Sequence, residues 1–276
     1  MRDPSFWQQK CVLITGASSG IGWALAKHLA TRGAKLGLIA RREEKLRELA
    51  AAIEFSGGQA AFAVADVTDP EQTRQAGRVL EEALGPCDVL IASAGIHRYS
   101  PGYDFRPNSA NAVFATNVEG VVNAIGAVLP GMVERRRGHL VAMASIAAML
   151  GLPEVGAYSA SKAAIVTLME SLRVDLHGCN VKVTTICPGF VDTPLIADHA
   201  RPILRFILDP ADAARRIAWA IEHGRAEYWF PWQTWLLARL GRALPLSIYR
   251  RICSRLPKQP LHDPEWPRGL PRRSQR

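Results

Sequence analysis

Tyr158 and Lys162 stand four positions apart in the stretch YSASK, and helical spacing stacks such a pair on one face. A phenol with a pKa of about 10 is a poor base at neutral pH. An ammonium beside it favours the phenolate and draws that value toward the working range. The pair suits the passage of a proton to or from an oxygen, provided a carbonyl or an alcohol is brought to it. On a solvated helix face the same two residues would do nothing, so their meaning depends on the rest of the chain.

The stretch TGASSGIG (15–22) has the pattern of a ligand site. Gly16, Gly20 and Gly22 let the backbone turn tightly and approach a pyrophosphate. Ser18 and Ser19 add hydroxyl donors, Ile21 lies in the same turn, and the helix that follows offers free N–H groups and a positive dipole end. The spacing Gly-x-x-x-Gly-x-Gly sits between a β-rich run and a helix, where a dinucleotide site requires it. About twenty residues on, a carboxylate would hold the ribose 2′-hydroxyl of NAD. This chain has Ala40, Arg41 and Arg42 there instead. A guanidinium suits a 2′-phosphate and cannot accept a bond from a hydroxyl, so NADP(H) is favoured over NAD(H).

The elements that must position these residues follow from alternating patterns. Apolar β-rich runs occur at 11–16, 35–40, 60–67, 87–95, 138–145 and 181–189, with a seventh at 227–231. Between them lie helical patterns at 20–32, 43–55, 70 onward, 108–136 (bent near Pro130), 155–177 and 210–224. Asp69 suits an N-cap, Pro70 the first helical position and Gln72 the return bond of a capping box. This alternation predicts an α/β fold, a doubly wound, Rossmann-like parallel sheet of about seven strands with helices on both faces. Ligands of such sheets bind beyond the carboxyl ends of the strands, where strand order reverses.

TGASSGIG, Asp66-Val67, Asn117-Val118, Ser145, YSASK and PGFVDT (188–193) occur in this order, with Ser145 thirteen residues before Tyr158. In these motifs, from about residue 10 to 232, the chain resembles the short-chain dehydrogenase/reductase family of the TGxxxGIG and YxxxK type. The resemblance implies that Tyr158 gives a proton to a carbonyl oxygen or takes it from a hydroxyl. Lys162 would lower the tyrosine pKa and bind the nicotinamide ribose, Ser145 would orient the substrate oxygen, and Asn117 would hold a water in the proton relay behind the lysine. Asp66 is expected at the adenine edge through its carboxylate, with Val67 offering backbone beside it. Pro188 and Gly189 would turn beneath the nicotinamide, with the Val191 backbone and the Thr193 hydroxyl on its carboxamide. The family's Asn-Asn-Ala-Gly is Ala92-Ser93-Ala94-Gly95 here. Ala94 and Gly95 keep the small residues that let the adenosine half lie close, while the side-chain bonds that brace the strand end are lost. The family also implies homodimers or homotetramers built through 108–136 and 155–177.

Composition agrees with one folded catalytic domain, placed at 8–232. The chain has 276 residues, 48% hydrophobic and 21% charged. Five scattered cysteines read as reduced thiols, the first ten residues lack an apolar signal core, and no apolar run reaches the ~18 residues of a membrane span. These features point to a cytoplasmic protein. Seven unclustered histidines argue against a metal site.

The predicted reaction is NADP(H)-dependent interconversion of a carbonyl and a secondary alcohol, on a small to medium apolar substrate. The apolar segment 193–210, with Leu195, Ile196, Ile203, Leu204, Phe206 and Ile207, falls where the family keeps a lid; Tyr99 and Tyr103 are candidates for the opposite wall. The net charge of +9 is concentrated at the C-terminus, where eleven basic residues oppose three acidic ones from Arg225 onward. Residues 233–256 form a basic amphipathic extension, suited to the inner face of a membrane, a pocket cover, an oligomer contact or an acidic carrier protein. Residues 257–276, rich in Pro and Arg, read as a disordered tail. No nucleic-acid recognition module appears. The alternative to an enzyme is a non-catalytic NADP-binding protein that acts through this extension.

Overall fold

The structure is a computed structural model that describes residues 5–195 and 206–254. Ile196, Ile203 and Leu204 of the expected lid, and the tail from 257, lie outside the described residues. The chain order is β1 (Cys11–Thr15), α1 (Gly20–Ala30), β2 (Lys35–Ala40), α2 (Glu43–Phe55), β3 (Gln59–Val64), α3 (Pro70–Leu84) and β4 (Val89–Ala92). It continues with α4 (Pro107–Phe114), α5 (Gly120–Glu134), β5 (Gly138–Met143), α6 (Gly156–Asp175), β6 (Val181–Pro188), α7 (Pro210–Glu222), β7 (Glu227–Phe230), α8 (Trp232–Ala243) and α9 (Leu246–Cys253). The strands form one seven-stranded parallel sheet in the order β3-β2-β1-β4-β5-β6-β7. The order reverses between β1 and β4, which opens a crevice at their carboxyl ends.

Successive strand residues face opposite sides of the sheet, and both sides are covered. Val12 and Ile14 of β1 join Leu25, Leu49 and Ile217 from α1, α2 and α7 in one core. Cys11 and Leu13 join Leu80, Val128 and Ile165 from α3, α5 and α6 in the other. This is why the strands read as continuous apolar runs rather than as alternating ones. Trp7 lies ahead of the expected domain start. It is fully buried in the first core, and its indole donates to Glu222 Oε1 at 2.6 Å.

Asp69 caps α3 by accepting from the backbone N–H groups of Glu71 and Gln72. Gln72 does not complete the expected box. Its Oε1 accepts from the Asp66 N–H, because the Asp69 N–H already donates to the Asp66 carbonyl. The helix expected to bend at Pro130 carries its irregularity further upstream. A π-helical turn, Ala115–Glu119, joins α4 to α5, and Pro130 lies within α5. The helical stretch Pro107–Glu134, with a window of mean hydropathy 1.5, is long and apolar enough to cross a membrane, which corrects the expectation that no run would be. Its Val113, Val121, Val128 and Met132 side chains are buried in this fold.

Trp7→Ala removes a fully buried aromatic and its bond to Glu222, and is expected to cost about 3 kcal/mol or more. Urea unfolding should show a lower midpoint with an unchanged slope; an unchanged midpoint would contradict the packing described.

Candidate active site

A cleft of about 770 Å³ opens at the carboxyl ends of β1, β4, β5 and β6. Every residue expected to touch the cofactor lines it, from Gly16 at one end to Thr193 at the other. The strand-to-helix turn after β1 is built for close approach. Gly16 has φ +69°, and a Cβ there would lie 2.7 Å from the Ala94 Cα. A Cβ on Gly22 would lie 2.6 Å from the Gly16 carbonyl oxygen. Ser19, at the N-cap of α1, makes no side-chain cap bond, and the first turn holds no acid. That helix end keeps N–H groups and a positive dipole end for an anion.

Beyond β2, Arg42 donates to Ser18 Oγ at 2.8 and 3.1 Å and to Ser19 Oγ at 2.7 Å. Both hydroxyls accept these bonds, so each keeps its own O–H to donate. Arg41 is two-thirds exposed and lies 3.5 Å from Asp66 Oδ2. Asp66 Oδ1 is taken by the Thr68 N–H and hydroxyl. Burial would raise its pKa, but the Thr68 bonds and Arg41 hold the carboxyl below its ordinary value. Val67 lines the cleft, and its carbonyl accepts from Asn123 Nδ2 at 2.9 Å. The backbone of Phe190 and Asp192 pairs with Leu208, which leaves the peptide groups of Val191 out of that pairing.

Helix α6 brings the phenol and the ammonium into the cleft. Tyr158 and Ser145 line the cleft together, with the serine near enough to act on the phenol, and Ser145 itself begins a short 3-10 turn two residues beyond β5. Lys162 is 4% exposed and donates to the Met143 carbonyl at 2.7 Å. Its nitrogen lies 5.7 Å from the Tyr158 ring centre. Burial pushes the Tyr158 pKa up, and the Ser145 bond opposes it. Burial also pulls Lys162 down to about 8. The ammonium is directed to a strand carbonyl rather than to the phenolic oxygen, and desolvation outweighs the bond that opposes it.

Asn117 is fully buried in the π turn and does not line the cleft. Its Oδ1 accepts from the Ile96 N–H at 2.8 Å, while Nδ2 donates to the Ile96 carbonyl at 3.0 Å and to Ser161 Oγ at 3.1 Å. Ser161 donates in turn to the Tyr158 carbonyl. The side chain thus ties the segment after β4 to α6; both amide protons are used, and Oδ1 keeps one acceptor site.

Several lining residues went unmarked in the sequence. Tyr99 and Tyr103 do not reach the cleft: their hydroxyls lie 3.3 Å apart, Tyr99 also bonds Glu154, and Tyr103 is 59% exposed. His97, two residues earlier, faces in and meets the Tyr158 ring edge-to-face at 5.3 Å. Burial lowers its pKa, which favours the neutral imidazole. The pairing of Ser100 with Val155 sets this direction. Phe190, Leu152 and Cys253 complete an apolar end together with Leu195, the one expected lid residue that lines the cleft among those described. The strand end that lacks the asparagines is braced by Thr15, whose Oγ1 accepts from the Ser93 and Ala94 N–H groups at 3.1 and 3.2 Å. A threonine closing a buried strand just before the glycine turn was the available signal.

The family model described as short chain dehydrogenase matches residues 10–202. An uncharacterized oxidoreductase of Myxococcus xanthus is 38% identical over 247 residues, covering 90% of this chain and 97% of its own. A second, from Listeria innocua, is 39% identical and covers 68% and 77%. Among solved structures, a short chain dehydrogenase/reductase of Burkholderia phymatum in complex with NAD superimposes with TM-score 0.79 at 26% identity, covering 92% of this chain and 98% of that one.

Thr15→Val keeps the shape of the side chain and strands two backbone N–H groups, at an expected cost of about 2 kcal/mol or more. Thr15→Ser should restore most of the loss. Urea unfolding of the two variants side by side is the measurement, and equal stabilities would exclude the brace.

Proposed function

The chain belongs to the short-chain dehydrogenase family, and from that premise we propose an NADP(H)-dependent oxidoreductase that interconverts a carbonyl and a secondary alcohol on a small to medium apolar substrate. The observation that carries this reading is the convergence of Tyr158, Ser145 and Lys162 in one cleft. A protein that only bound a nucleotide would have no use for a half-buried phenol there.

The turn after β1 fits a dinucleotide: its glycines clear the backbone, and the start of α1 offers unused donors. When bound, that cofactor supplies or accepts the hydride. The residues of the chain handle the rest. In reduction, Tyr158 donates its proton to the carbonyl oxygen while the Ser145 hydroxyl bonds the same oxygen and orients it. Burial keeps Tyr158 protonated at neutral pH, which suits it as an acid in this direction. Lys162 places a positive charge behind the phenol as its proton leaves. Asn117 acts as a positioning residue that sets Ile96 and α6 against each other. His97 offers one donor and one acceptor to a further polar group on the substrate, while Phe190, Leu152 and Leu195 favour an apolar body.

NADP(H) is favoured by the Arg42–Ser18–Ser19 cluster, with Arg41 beside it and no carboxylate at the end of β2. Such donors match a phosphate and leave a bare hydroxyl without an acceptor. A homodimer or homotetramer through α4–α5 and α6 is supported by the exposed Phe114, Val122 and Val174.

Tyr158→Phe should lower NADPH-driven reduction of aldehydes and ketones by at least ~100-fold and leave NADPH binding intact. In the wild type, reduction should stay level at neutral pH and fall as pH rises through about 8, where Lys162 loses its proton. Alcohol oxidation should instead rise as pH increases from neutrality, because it needs the phenolate. Absorbance at 340 nm over a pH series reads both, and a reduction rate that climbs through that pH would sink the assignment. Arg42→Ala should weaken NADPH by about tenfold or more and NADH hardly at all; equal losses in a fluorescence titration would count against the phosphate reading.

A further inference from the structure

The C-terminal extension forms α8 and α9, each with an inner and an outer side. On the inner side, Thr234 is buried, and a Cβ on Gly241 would lie 3.1 Å from Leu150. The Tyr249 hydroxyl donates to the Gly151 carbonyl at 2.8 Å, and Cys253, one helical turn on, lines the apolar end of the cleft. The outer side is apolar and without cover among the described residues. Trp232, Leu236, Leu240 and Leu244 recur every fourth residue along α8 and its end, flanked by Leu237, with exposures from 36% at Leu244 to 66% at Trp232. Ile248 and Ile252 repeat the pattern on α9, at 46% and 49%. Four arginines (239, 242, 250 and 251) lie on the two helices, and residues 228–262 contain no Asp or Glu.

We propose that α8 and α9 dock on an anionic lipid surface and that the apolar end of the cleft opens toward it beside Cys253. The substrate half of this inference rests on the carbonyl–alcohol reading above; the docking half does not. An apolar stripe that begins with a tryptophan and is rimmed by arginines matches the acyl–headgroup boundary of such a surface. Pairing with a second copy through the same patch would set arginines against arginines with no acid to offset them. The arrangement also gives the tail a use for the enzyme: an apolar carbonyl compound dissolved in lipid would meet the cleft without crossing water.

The test is co-sedimentation of the full chain with phosphatidylcholine vesicles, with and without phosphatidylglycerol. The expected result is pelleting with the anionic vesicles only, weakened by salt. Trp232→Ser with Leu237→Ser and Leu240→Ser should cut this by about tenfold and leave turnover of a water-soluble aldehyde unchanged, which also shows that the variant folds. Trp232→Phe should lower quenching of tryptophan fluorescence by brominated lipid. With a long-chain aldehyde dissolved in the vesicles, the serine variant should lose kcat/KM that it keeps on the soluble aldehyde. Wild type that stays in the supernatant with both vesicle types overturns the docking. A serine variant that changes oligomeric mass by light scattering yet still binds vesicles overturns it in favour of self-association. Wild type that binds vesicles but reduces neither aldehyde upholds the docking and removes the carbonyl–alcohol reading instead. Equal losses on both aldehydes in a folded variant overturn the delivery route.

Discussion

The Lys162 ammonium is nearly excluded from water, and this constraint organises the cleft. A charge taken out of water must find a strong acceptor or lose its proton, and here both tendencies are visible. The ammonium donates to the Met143 carbonyl at the last residue of β5, and its pKa still falls to about 8. That bond draws α6 onto the end of β5 and so delivers Tyr158, one helical turn earlier, to Ser145 just past the same strand. Gly95 lies close to the same point: a Cβ there would lie 3.3 Å from Asn117 Oδ1, a tight contact, and 3.5 Å from the ammonium.

The loops around this point are held by backbone groups satisfied one at a time. Thr15 takes the two N–H groups after β4, Asn117 takes both peptide groups of Ile96, and Ser161 links Asn117 to α6. Because a parallel sheet ends its ladder at the strand termini, these groups would otherwise lie buried and unpaired. The π turn around Asn117 belongs to the same economy. An extra residue in the helix lets an amide side chain reach a neighbouring strand end, a common use of π-bulges at functional sites.

The cleft has two characters. Its nucleotide half is lined by small residues, hydroxyls and two guanidinium groups, and its far half by Phe190, Leu152, Leu195 and the edge of α9. Between them stand the phenol and His97. Burial raises the tyrosine and lowers the histidine, so both are neutral when the protein is near neutrality. The resemblance suggested a tyrosine already tuned by lysine; in this fold the lysine's proton is aimed at the backbone.

Strands, helices, their order and the parallel sheet were legible because they follow from local apolar period, caps and glycines. Asp69-Pro70 marked the start of α3, and Ala40-Arg41-Arg42 at the end of β2 line the cleft. The cleft's cofactor-side lining was legible for the same reason: it is made of strand ends and the turns that follow them. What could not be read were contacts between segments distant in the chain. That Thr15 would brace the segment after β4, that His97 rather than Tyr99 would face Tyr158, and that Cys253 would come to line the cleft depend on directions set by packing between elements. The sequence by itself determined which residue types were present and at what spacing, hence a phenol and an ammonium on one helical face. Only the tertiary structure decided where the ammonium's protons point and how far burial shifts each group, because desolvation belongs to the assembled interior and not to any stretch of chain.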